Sequence, residues 1–314
     1  MGSQAHLDHT ACERRARMRA SAPDRAADSS QRLQKSDRVC KKRACGNRCR
    51  CGIVKRSGAT GHDRARQLSI EDEMTFFRKG DVSIRYEQYG SGFPLLLLPP
   101  GGMRATIDDW QRMAFNPVEI FRHDFRVIAL DQRNAGQSTG PLADGNPWDQ
   151  YAADHLGLLN HLGIERCHVM GCCIGASYAL NLARLAPSRV ASLVLQQPIG
   201  IDEANRQVMP NSWRKWADEL TANRQDLSPT ALEDFGRRMW AGDFVLSVSR
   251  EFVASCQTPM LILPGADLEH PAVIAEELAR LAPSVRTLQP WKEPAGCIPS
   301  AVAVVRDFLA RNSH

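Results

Sequence analysis

The chain has 314 residues, 43% of them apolar, and a formal net charge of +5, enough apolar material for a sizeable core. Its longest apolar run, Pro94 to Pro100, is too short for a membrane span or a secretory leader, so the expected compartment is the cytoplasm and the ten cysteines are expected as thiols. Residues 1–70 hold 17 Lys/Arg against 6 Asp/Glu and the remainder 23 against 29, so the basic balance belongs to an appendage and does not mark the body as nucleic-acid binding.

Residues 1–73 are rich in Arg, Ala, Ser, Gly and Asp and show neither helical nor strand periodicity. They are expected to be a disordered basic extension ahead of a native start at Met74. Within them "CKKRACGNRCRC" (Cys40, Cys45, Cys49, Cys51) lacks the paired C-x2-C spacing of zinc sites and has no interleaved aromatic to stack on a base. No metal and no nucleic acid is expected there.

Ordered patterning starts at Met74. "DVSIRYEQYG" (Asp81 to Gly90) alternates as an exposed antiparallel strand does, whereas Phe93 to Pro100 and Phe125 to Asp131 are continuous apolar runs of the kind buried in a parallel sheet. Helical periodicity follows over Tyr151–Ile164 and Ile174–Pro187, and further strands are expected over Arg189–Pro198, Thr258–Asp267 and Val285–Trp291. Such βα alternation predicts an α/β fold with a mostly parallel, doubly wound sheet built from residues 74–200 and 257–314. Residues 201–256 interrupt it with Trp-bearing helical patterns, a helical insertion read either as a lid over a pocket or as a layer serving stability.

The stretch "HVMGCCIGAS" (His168 to Ser177) carries the chemistry. Gly171-Cys172-Cys173-Ile174-Gly175 reads G-x-C-x-G between an expected strand and an expected helix, and the flanking glycines permit a tight turn that exposes Cys173. Neither a phosphate-cradling glycine loop with Lys and Ser/Thr nor a strand-linked G-x-G-x-x-G is present, so no cofactor is expected and the partner is a small-molecule substrate.

With "LLLLPPGGM", "ALDQRNAGQSTGP" and "LILPGADLEHP" in the same order and spacing, the chain from Met74 onward resembles the α/β-hydrolase superfamily, and a cysteine at the elbow resembles its dienelactone hydrolase branch. The resemblance implies Cys173 as nucleophile, Asp267 as acid, and the backbone N–H groups of Gly102 and Ile174 as oxyanion donors. It also implies a histidine after the last strand. There "WKEPAGCIPSAVAVVRDFL" offers Cys297 instead. The remaining candidates for the base are His270, three residues beyond Asp267, and His168 on the strand before the elbow, each also readable as a packed or loop residue.

A thiol near pKa ~8.5 is already partly ionised at neutral pH, and a helix N-terminus lowers that further, so acylation is open even without a histidine. Deacylation needs an activated water, so slow turnover or transfer to a better nucleophile is expected. The activity expected is hydrolysis or acyl transfer on a small ester, thioester or lactone. The alternative is a silent member of the fold that binds a small ligand or responds to redox state through Cys173 and Cys297.

Overall fold

The computed structural model describes residues 74–142 and 144–314; the expectations for residues 1–73 lie outside the described residues. Eight strands, β1 (Thr75–Lys79), β2 (Val82–Tyr89), β3 (Pro94–Leu98), β4 (Arg126–Leu130), β5 (Cys167–Cys172), β6 (Val190–Gln196), β7 (Met260–Leu263) and β8 (Val285–Thr287), form one sheet in the order β1-β2-β4-β3-β5-β6-β7-β8. The two pairings of β2 are antiparallel and all the others are parallel.

The continuous apolar runs follow from burial on both faces. Along β3, Leu96 and Leu98 belong to one core, whereas Leu95 and Leu97 belong to the other. The first core is closed by α2 (Pro147–His161), α3 (Ile174–Leu185) and α7 (Ala272–Leu281) through residues such as Leu158, Leu182 and Leu278. The second is closed by α1 (Pro117–Phe121) and α8 (Ile298–Arg311) through Phe121 and Val305. No helix among the described residues is long and apolar enough to cross a membrane.

Among the boundaries that differ from the sequence reading, two have a readable cause. α2 begins four residues early because Asn146 accepts the Trp148 N–H (3.1 Å) and Pro147 occupies the first helical position, a start signal that periodicity alone overlooks. β8 stops at Thr287 rather than running to Trp291. One more ladder bond forms, Leu288 N–H to Ile262 O (2.9 Å), and then Pro290 brings no N–H to continue it.

Between β6 and β7 lie α4 (Arg214–Asn223), α5 (Pro229–Met239) and α6 (Arg250–Ser255). Indole N–H groups pin this layer to the sheet domain. Trp216 Nε1 donates to Asn134 O (2.9 Å) and Trp148 Nε1 to Met239 O (3.1 Å). Asn134 stands at φ 58°, a left-handed position that asparagine tolerates better than most residues.

The turn after β4 is a buried polar network. The Asp131 carboxylate accepts the Ile107 (2.9 Å) and Gln137 (3.0 Å) N–H groups, and Arg133 binds Asp154 on α2 through two contacts of 2.7 and 2.5 Å. Both side chains of the Arg133–Asp154 pair are 6% exposed. Asp154→Asn strands a buried guanidinium, so urea denaturation of this variant should show a loss of about 3–5 kcal/mol; a loss below about 1 kcal/mol would mean that water reaches the pair.

Candidate active site

In the strand order, β3 sends its chain toward β4 and β5 sends its chain toward β6, so the loops leaving β3 and β5 part in opposite directions. The crevice between such strand ends is where open α/β sheets bind ligands. Gly101 and Gly102 leave β3 there, and Cys173 leaves β5.

Cys173 has φ 57° and ψ −122°, a strained conformation for a residue with a side chain. The surrounding packing enforces it. A Cβ on Gly171 would fall 2.1 Å from Gly175 O, and one on Gly175 would fall 2.1 Å from Leu98 O. The strand, the turn and the first turn of α3 are therefore in backbone contact, and only glycine fits at both positions. The turn is fixed by Cys173 N–H donating to Gln196 O (3.0 Å) and by Ala176 N–H donating to Cys173 O (3.0 Å).

The backbone N–H groups of Ile174, Gly101 and Gly102 lie close enough to the Cys173 sulfur to favour its thiolate. Ile174 and Gly102 are the donors expected from the sequence, and Gly101 is a third. Both glycines have positive φ (118° and 61°), and the space above Gly102 is open, with no atom within 4 Å of the point where a Cβ would stand.

The charge state of the thiol departs from expectation. Burial pushes the Cys173 pKa up to about 12, and the three N–H groups, although they pull it down, do not offset that penalty; Glu269 adds to the rise. The helix-terminus argument thus loses to desolvation, and Cys173 rests as a neutral thiol that needs a base.

His270 lines the same cavity as Cys173. Its Nδ1 lies 2.7 Å from Asp267 Oδ1. A carboxylate only accepts, so Nδ1 carries the proton and Nε2 of the neutral ring is the free acceptor. Nε2 is buried and has no hydrogen-bond partner among the described residues. Asp267 also accepts the His270 (2.9 Å) and Glu269 (3.1 Å) N–H groups. Partial burial raises the Asp267 pKa, but the His270 charge and these hydrogen bonds outweigh it and hold the carboxyl below the usual range, so it stays ionised at neutral pH and loses this role as pH falls through that lowered value. Gly265 lets the pair sit close, since a Cβ there would fall 2.3 Å from His270 Cβ.

Cys173, His270, Glu269, Gly101 and Gly102 line one cavity of about 300 Å³, whose further walls include Met103, Met113, Ile199, Met209, Trp216 and Trp240. Cys297 is not among its lining residues. It is the residue before α8; earlier in the same loop stand Trp291 and Lys292. Trp291 is buried and donates to Pro264 O (2.7 Å), and Lys292 Nζ donates to Gln197 Oε1. Both Cys173 and Cys297 are free thiols.

His168 is fully buried and divided between Ser192 (2.8 Å) and Ser313 (2.9 Å), a packed strand residue. Cys172 is fully buried against Met113. Gln197 and Lys292 were not singled out from the sequence; their spacing of 95 residues carries no local signal.

An eight-stranded sheet of this order with a strained residue after β5 defines an α/β-hydrolase scaffold. The chain belongs to the alpha/beta hydrolase fold family, whose model matches residues 94–254. It is 34% identical over 164 residues to the dihydrolipoyllysine-residue acetyltransferase component of the acetoin cleaving system of Pseudomonas putida, covering 50% of this chain and 40% of that protein. It is 30% identical over 130 residues to the 2-hydroxy-6-oxo-6-phenylhexa-2,4-dienoate hydrolase of Comamonas testosteroni, covering 41% and 45%. The matched stretches thus span less than half the length of these relatives. Among solved structures, a meta-cleavage product hydrolase from Pseudomonas fluorescens superimposes with a TM-score of 0.55 at 21% identity, over 73% of this chain and 95% of that one.

A thiol raised to about 12 is scarcely ionised at neutral pH, and alkylation requires the thiolate. The iodoacetamide reaction of native Cys173, followed by peptide mass, should therefore keep accelerating above pH 10. A plateau near pH 9 would show an ordinary thiol.

Proposed function

We propose that the protein is a hydrolase of small esters, thioesters or lactones that works through Cys173, with His270 as base and Asp267 as its orienting acid. The observation that carries this reading is the unpartnered, buried Nε2 of His270 in the cavity that Cys173 lines. As Sγ attacks the acyl carbon, Nε2 takes its proton. The carbonyl oxygen becomes an oxyanion facing the N–H groups of Ile174, Gly101 and Gly102, which need no reorganisation to stabilise it. Collapse expels the alcohol or thiol, protonated by His270, and leaves a thioester on Cys173. Water, deprotonated by His270, then attacks that thioester and the free thiol returns.

The insertion acts as a lid over this site. Met209, Trp216 and Trp240 come from it and line the cavity, so they exclude water from the thioester while anchoring the layer. The apolar walls favour a compact, largely apolar acyl group.

Intact mass after incubation with an activated ester tests the reading: an acyl adduct on Cys173 is expected, absent from Cys173→Ala. His270→Ala should slow turnover by about 10²–10⁴-fold, the usual worth of a general base. Cys297→Ser should change kcat by less than about twofold, because Cys297 lies outside the cavity lining. An unmodified Cys173 at full ester excess would favour a silent, ligand-binding member of the fold.

A further inference from the structure

Gln197 stands where the sheet delivers a side chain beside the nucleophile. The preceding residue, Gln196, accepts the Cys173 N–H (3.0 Å), and Gln197 itself donates its backbone N–H to Leu263 O (2.7 Å). Its φ is 46°, a costly value for a residue with a long side chain, and strain of this kind is retained where the surroundings hold a side chain in a set place. Gln197 lines the cavity.

The orientation of its amide is settled by chemistry. Lys292 Nζ contacts the Gln197 side chain, and an ammonium only donates, so the atom facing it is the carbonyl oxygen Oε1. The amide NH2 therefore points away from Lys292. Among the described residues no protein acceptor binds it, and it is not one of the enclosed, partnerless atoms of the fold, so it is open to whatever occupies the cavity that Gln197 lines. Lys292 is itself steadied by its place over the Trp291 ring, 5.6 Å from the centroid, and Trp291 is fixed to Pro264 O. A cation on the carbonyl side polarises the amide and strengthens the NH2 as a donor.

We propose that Gln197 is a specificity residue, aimed by Lys292, whose NH2 binds an acceptor oxygen in the acyl group beside the scissile carbonyl. The substrates favoured are then acyl compounds carrying an ether, keto or second carbonyl oxygen at that point, and purely alkyl acyl groups are handled less well. This inference rests on the Cys173 hydrolase reading.

The test uses two activated esters that differ by one atom, p-nitrophenyl methoxyacetate and p-nitrophenyl butyrate, an ether oxygen replacing a methylene. Intrinsic reactivity cancels when the ratio of their kcat/KM values is compared between variants. Gln197→Glu keeps the shape and the Lys292 contact but removes the donor; the methoxyacetate preference should fall about tenfold, the value of one buried hydrogen bond. Lys292→Met leaves the amide free to turn and should lower the preference by about threefold. A merely structural role for Gln197 lowers both esters together and leaves the ratio unchanged. A ratio unchanged within twofold in both variants, with the acyl adduct still forming on Cys173, overturns the Gln197 assignment alone. Absence of any adduct from either ester in the wild-type protein overturns the hydrolase reading and this inference with it.

Discussion

Everything at the site depends on how closely β3, β5 and α3 approach one another. The carbonyl of Leu98 occupies the space that a side chain on Gly175 would need, and the carbonyl of Gly175 occupies the space beside Gly171. With those three backbones in contact, the chain between them has no room to relax, and Cys173 is held at a positive φ with its sulfur toward the loop of Gly101 and Gly102. Removing that contact would free the cysteine to adopt an ordinary conformation, and the three N–H groups would no longer converge on it. The strain at one residue is sustained by the burial of two cores, which is why it can persist.

The same burial sets the chemistry. A sulfur enclosed well enough to meet three backbone donors is also enclosed well enough to disfavour its own charge, and desolvation exceeds the stabilisation those donors give. In the proposed mechanism this is an economy rather than a defect. The donors are reserved for the oxyanion, which appears only when substrate is present, and the resting thiol is less open to adventitious oxidants that require a thiolate.

Much of this was legible in the sequence, for identifiable reasons. The parallel strands betray themselves because residues such as Leu95 and Leu96 feed opposite cores, so the run has no polar gap. The elbow is readable because its glycines are required by contact. Asp267 and His270 share one loop, so their spacing was visible, but whether the ring turns toward the cavity depends on Gly265 and on the position of β7, which no local pattern reports. The ionisation of Cys173 was misjudged because helix position is local, whereas desolvation sums over the insertion, the β3 loop and the core. Gln197 and Lys292 were missed since their pairing exists only after β6 and the β8 loop are brought together.

In the proposed mechanism, placing the base and its acid within one loop also alters what the rest of the chain must do. When the two come from separate loops, any relative shift of those loops breaks their hydrogen bond. Here Asp267 receives both the ring and the backbone N–H of His270, so the pair travels as one rigid tetrapeptide. Breathing of the site then changes a single coordinate, the distance from that tetrapeptide to the sulfur. The loop after β8 instead supplies Trp291, which is buried, and Lys292, whose Nζ contacts Gln197.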